Sequence, residues 1–259
     1  MTTPFDRVIK DIKKRGYHNH RLEDHSDAVS TGIFNDLIKM CGSFKEDFEA
    51  GKINKWQNVP TPGARRRKID LLVGKQKPDG KSELSQMRIC IENKSVITAH
   101  RNRDARFDDL NESLQVLHKV QPEAILVATI LIGTSAKVLN VPDKLKPFYK
   151  KRMVEFDASI LPRLSSGDQT LWEEFDWAVS ENRAKDPEQT VEKFRQLQVR
   201  APSYTHKVGY DYLLLIPVQI DNVNPPRLAR KNQLGVDIDK EYNAMLEHIC
   251  KTYNARWHL

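Results

Sequence analysis

The segment AILVATILIG, residues 124–133, is apolar almost throughout and no longer than one strand. A strand with apolar side chains on both faces cannot present either face to water, so it belongs inside a sheet covered by helices on both sides. Its neighbours can supply that cover. Upstream, RFDDLNESLQVLHKV sets Phe107, Leu110, Leu114 and Leu117 at helical spacing. Downstream, YDYLLLIPVQI reads as another strand, and DIDKEYNAMLEHICKTYNARW, with Tyr242, Met245, Ile249 and Tyr253, fits a closing helix.

The earlier half completes the layers. Residues 24–41 carry Val29, Ile33, Leu37 and Met40 on one stripe, with Asp24 or Ser26 available as N-cap, which predicts an amphipathic helix. KIDLLVG (68–74) and MRICIENKS (87–95) read as strands joined by QKPDGKSE, whose Pro-Asp-Gly is a turn signature. The order helix, strand, strand, helix, strand predicts a mixed α/β layer protein. Residues 143–208 read as mostly helical accessory mass, set before the last strand. With no repeat and no Pro/Gly-rich linker, 1–259 reads as one domain, its core 24–135 plus 208–259.

Cys41, Cys90 and Cys250 are widely spaced and form no C-x-x-C pair, which suggests neither a disulfide framework nor a structural zinc site. No apolar run approaches the ~20 residues needed to span a bilayer, and the start MTTPFDRVIKDIKKRG has no apolar signal core. A soluble, cytoplasmic protein without membrane partner or organic cofactor is expected. The net charge of +7 favours a polyanionic partner. Basic residues gather in ARRRK (Arg65, Arg66, Arg67, Lys68), HRNRDAR (His100, Arg101, Arg103, Arg106) and RLARKNQ (Arg227, Arg230, Lys231).

One strand interrupts its own apolar pattern. In MRICIENKSVITAH, Glu92, Asn93 and Lys94 stand where burial of an unpaired charge costs several kcal/mol. Glu92 and Lys94 share one strand face. Asp70 lies in the partner strand, so pairing of the two strands would bring all three together. Two facing carboxylates repel unless a hard divalent cation sits between them, and a nearby ammonium would then stabilise charge developing on a phosphate. Acid-x-Lys also occurs at Asp11–Lys13 and Asp79–Lys81, but there without a β run and an upstream strand acid.

Asp70 followed by Glu92-Asn93-Lys94 after a hairpin resembles the PD-(D/E)xK nucleases, the superfamily of restriction endonucleases. The resemblance covers residues 24–135, about half of the chain. It implies a restriction-endonuclease-like mixed β-sheet flanked by helices, with Asp70 and Glu92 binding Mg²⁺ (Mn²⁺ as substitute). The backbone carbonyl of Asn93 would join them, and Lys94 would assist the attacking water. Ile69 replaces the proline of the motif. Many members add an acid from the preceding helix, for which Asp36 is the candidate, with Glu23 behind it. TAHRNRDARFDDL resembles the basic loop that follows the lysine strand in several of these enzymes.

The implied activity is Mg²⁺-dependent hydrolysis of double-stranded DNA by a type II restriction endonuclease acting as a homodimer. The DNA-contacting candidates are Arg65, Arg66, Arg67, His100, Arg101, Arg103, Arg106, Arg230 and Lys231. Two alternatives stand beside it: a structure-selective repair, recombination or defence nuclease, and a catalytically silent DNA-binding module of the same fold. His18-Asn19-His20 spells another nuclease class, but adjacent histidines in a polar lead-in do not make its ββα-metal unit.

Overall fold

A computed structural model describes residues 3–15, 23–63, 67–140, 178–201, 206–222, 224–230 and 234–258, with isolated positions between 162 and 170. The described elements are helices α1 (Pro4–Arg15), α2 (Glu23–Met40), α3 (Gly42–Glu49), α4 (Ala99–Val120), α5 (Asp186–Phe194) and α6 (Ile238–Trp257). The strands are β1 (Asn54–Pro60), β2 (Lys68–Gln76), β3 (Ser82–Val96), β4 (Ile125–Gly133), β5 (Lys137–Asn140), β6 (Ala178–Glu181), β7 (Tyr212–Gln219) and β8 (Arg227–Leu228).

Six strands form a mixed sheet in the order β1-β2-β3-β4-β7-β8. β1, β2 and β3 run antiparallel, β3, β4 and β7 run parallel, and β8 returns antiparallel at the edge. The architecture is thus α/β, with α1, α2, α3 and α6 grouped on one side, where α2 packs on β2 and β3, and α6 on β7 and β4. On the other side α4 packs against β3 and β4, with α5 beside it. β4 is the central strand that its composition predicts, with Ile125 to Ala128 wholly buried.

The turn between β2 and β3 forms as expected, with Gly80 at φ +84° and the Lys77 N–H donating to the Lys81 carbonyl. Gly74 marks a register shift further along the pair, and a Cβ there would sit 2.6 Å from the Gln86 carbonyl oxygen. Val29, Ile33 and Leu37 of α2 are buried, but Met40 is exposed, and Phe34 and Cys41 enter the core instead.

Several expectations are corrected. α2 begins at Glu23, so Asp24 and Ser26 both lie inside its first turn and neither is its N-cap. The basic stretch after the lysine strand is not a loop: α4 starts at Ala99, whose N–H is capped by Asn182 Oδ1 at 3.0 Å, a donor-acceptor match made 83 residues away. Of the accessory region, 143–161, 171–177 and 202–205 lie outside the described residues, while 178–181 is a strand paired with β5 rather than helix. β7 is followed by β8 and so is not the last strand.

The cysteines also differ from expectation. Cys41, between α2 and α3, and Cys250 on α6 form a disulfide, and Cys90 remains as a buried thiol. The pair spans 209 residues and becomes adjacent because α6 packs across α2 and α3. No helix among the described residues is long and apolar enough to cross a membrane.

Candidate active site

β2 and β3 keep one antiparallel register from Val73/Ile89 to Leu71/Ile91 and then part. Asp70 stands at the fork. Its carboxylate fills the gap: Oδ2 accepts the Asn93 N–H at 2.7 Å and Oδ1 accepts the Ser26 hydroxyl of α2 at 2.8 Å. A side chain thereby takes the place of a ladder partner for Asn93, which keeps the peptide satisfied where the strands separate.

Glu92 lies on the face of β3 towards α4, with a side chain 1% exposed. Its Oε2 accepts from Lys94 Nζ at 2.6 Å, and the same ammonium lies 3.9 Å from Asp70 Oδ2. The three side chains that the sequence singled out are therefore brought together around one amine. Glu92 Oε1 is buried and has no hydrogen-bond partner. An orphaned carboxylate oxygen in a buried place is costly and calls for an explanation.

The electrostatics agree. Burial pushes the Asp70 carboxyl above its ordinary value, against the lowering effects of Lys94, the Asn93 N–H and Ser26. Burial likewise raises Glu92, with Lys94 opposing and Asp70 adding to the rise. Burial works against the Lys94 ammonium, yet Glu92 and Asp70 outweigh it and hold its pKa above the lysine norm. Burial thus disfavours both ionised acids, while the ammonium between them is held protonated by their charge.

Asp70, Asn93 and Lys94 open onto a cleft of about 500 Å³. Its apolar wall comes from Phe5, Val8 and Ile12 of α1, and its polar wall from Ser26, Lys68 and Arg106. Asn58 of β1, at φ +54°, is left out of the β1–β2 pairing between Gln57↔Leu71 and Val59↔Ile69, and its Nδ2 donates to Asp27 Oδ1 at 2.9 Å.

Asp36 does not join this site. It lies ten residues beyond Ser26 on α2, about 15 Å of helix rise, and is buried against Tyr242, Arg7 and Lys39. The α2 acid whose charge reaches Asp70 is Asp27, which raises its pKa and which sequence reading missed. An acid one residue from a serine on the helix's first turn was the available signal. The side chain of Glu23 lies outside the described residues. Among the described residues no cluster of three or more His, Cys, Asp or Glu is placed to hold a metal ion. The donors present are two carboxylates and the main chain of Asn93. That oxygen set suits a hard divalent cation, and the unpartnered Glu92 Oε1 fits the same role.

The basic candidates divide. Arg106 lines the cleft and pairs with Asp109 at 2.8 Å, and Arg67 pairs with Asp109 at 3.1 Å and Glu112 at 2.6 Å. Arg103 meets its neighbour Asp104 at 3.3 Å. Arg230 joins Asp6 of α1 to Asp239 of α6, and Arg227 donates to Gln219. Arg65, Arg66 and Lys231, the side chains of His100 and Arg101, and His18 to His20 lie outside the described residues. No protein-family model, curated protein or solved structure matches this chain.

Proposed function

We propose that the chain is a Mg²⁺-dependent endonuclease that hydrolyses phosphodiester bonds in double-stranded DNA, of the type II restriction kind. The observation that carries this reading is the convergence of Asp70, Glu92 and Lys94 at the fork of β2 and β3, with Glu92 Oε1 buried and unpartnered. Asp70 and Glu92, with the Asn93 carbonyl, are the groups that would hold the cation. A bound Mg²⁺ supplies Lewis acidity towards phosphate and acidifies the attacking water. Mn²⁺ offers the same chemistry.

The chain's own residues do the rest. Lys94, kept protonated by its two acids, provides N–H donors and positive charge beside the cleft, where a phosphorane gathers negative charge. Arg106 lines the cleft, where its charge would neutralise a backbone phosphate. The first turns of α4 add a helix N-terminus of the same sign. Cutting both strands at a palindrome calls for two such sites related by a two-fold axis, hence a homodimer.

The test is digestion of supercoiled plasmid with Mg²⁺ by the parent chain, Asp70→Ala and Lys94→Ala. The parent is expected to cut and each variant to lose about 10²-fold or more in rate. Discrete fragments with uniform ends identify a restriction enzyme; smears or junction preference identify a structure-selective nuclease. Salt-sensitive binding with no cleavage in Mg²⁺ or Mn²⁺ overturns the catalytic reading and leaves a binding module.

A further inference from the structure

The residue between Glu92 and Lys94 has a side chain whose place is unusual. Asn93 turns away from the two charged groups, towards α2, and its amide is fully engaged there. Nδ2 donates to Ser26 Oγ at 2.9 Å and Ser30 Oγ at 2.8 Å, and Oδ1 accepts from the Thr129 hydroxyl at 2.7 Å. Thr129 is the cross-strand partner of Asn93 in the parallel β3–β4 pair and is 2% exposed. Ser26 accepts one of these bonds and sends its own proton to Asp70 Oδ1 at 2.8 Å.

The bonds run in one direction. Thr129 donates to Asn93, Asn93 to Ser26, and Ser26 to Asp70, while the Asn93 peptide N–H holds the other Asp70 oxygen. The direction is set from the Asp70 end: an ionised carboxylate only accepts, so Ser26 donates to it and accepts from the Asn93 amide nitrogen, which also faces the Ser26 carbonyl at 3.3 Å. The amide oxygen is thereby left facing β4, where the Thr129 hydroxyl is its donor. Without that hydroxyl the amide oxygen loses its donor, and the amide that holds Ser26 towards Asp70 is no longer anchored to β4.

We propose that the side chains of Thr129, Asn93 and Ser26 form a polarised relay that positions the Asp70 carboxylate for a divalent cation, making all three positioning residues. The inference rests on the cation-dependent reading of the site. Partners of this outer kind typically affect metal affinity by 10- to 100-fold, roughly the effect expected here.

The test measures Mn²⁺ binding to the full chain by titration calorimetry, for the parent, Ser26→Ala, Thr129→Val, Thr129→Ser and Asp70→Ala. Asp70→Ala should abolish binding. Ser26→Ala and Thr129→Val should weaken it about tenfold or more, and Thr129→Ser, which restores the donor, should recover most of the loss. In the plasmid assay the Mg²⁺ concentration for half-maximal cleavage should rise in parallel, with the KM for DNA unchanged. Ser26, at the helix start and partly exposed, keeps the test open should a Thr129 variant fold poorly. Parental affinity in Thr129→Val and Ser26→Ala, with binding lost in Asp70→Ala, overturns the relay and leaves the cation site standing. Thr129→Ser as weak as Thr129→Val also overturns it, since packing and not the hydroxyl is then at fault. A parent that takes up no Mn²⁺ ends both proposals. A parent that follows the relay pattern but cuts no DNA keeps the relay and ends the nuclease reading.

Discussion

Asp70 is a carboxylate in a place where the cation-free chain is better served by a neutral group. Its folded pKa is raised, so the folded state binds a proton more readily than the unfolded chain. Stability from this group therefore grows as pH falls from the raised folded pKa towards the ordinary carboxylate value, and is lost as pH rises through that window. Asp70→Asn removes the charge and keeps the contacts: its amide oxygen can accept the Asn93 N–H while its nitrogen donates to Ser26 Oγ, the hydroxyl reversing. In the absence of divalent cation we expect the variant to be more stable than the parent at neutral pH, by on the order of 1 kcal/mol. The gap should close in acid as the parent takes up its proton, and reverse when Mg²⁺ is added, since only the parent gains by binding it. Urea midpoints across pH, with and without Mg²⁺, decide this. A variant less stable than the parent at every pH would show that Lys94 needs Asp70 more than Asp70 suffers from burial.

α4 carries both signs of charge at the mouth of the cleft, and its acids set how much of the basic surface is available. Asp109 pairs with Arg106 and Arg67, while Glu112 gives Arg67 a second partner. Asp109→Asn should release Arg106 most fully. We expect tighter DNA binding at low salt and a log–log salt slope steeper by about 0.9, the value of one further phosphate contact, as read by fluorescence anisotropy without divalent cation. An unchanged slope would remove Arg106 from the DNA-facing surface. The elements legible in the sequence were those with strong periodicity, such as α6 and β4, or with an unambiguous turn, as between β2 and β3. β1 escaped because an edge strand reads as polar; NKWQNVP alternates weakly and ends in proline. The meeting of Asp70, Glu92 and Lys94 was legible because pairing of two strands sufficed to create it. Asp27, Ser26 and Thr129 were not, because their parts depend on how α2 and β4 lie against β3, and the N-cap rule pointed Ser26 at its own helix.

Two long-range ties close the molecule. Asp211, wholly buried ahead of β7, receives Arg200, Arg256 and the Leu126 N–H, joining β4, β7 and the end of α6. Asp211→Ala would leave two buried guanidinium groups with carbonyl acceptors but without their carboxylate counter-charge, and should cost about 3–5 kcal/mol, measured as a lower denaturant midpoint at unchanged slope. The second tie is the Cys41–Cys250 bond, which spans 209 residues. Cysteine spacing alone gave no hint of it, because the pairing follows from α6 crossing the α2–α3 corner. Closing a loop of that length restricts the unfolded chain, and removal of native bridges typically costs about 2–5 kcal/mol. Denatured, unreduced protein should titrate one thiol, that of Cys90, and reduced protein three. A Cys41→Ser/Cys250→Ser chain should unfold at lower denaturant than the oxidised parent and match the parent in reductant, because both then lack the same restraint. Three thiols without reductant would mean that the two sulfurs meet unbonded, and the double variant should then lose little more than the packing of two small side chains.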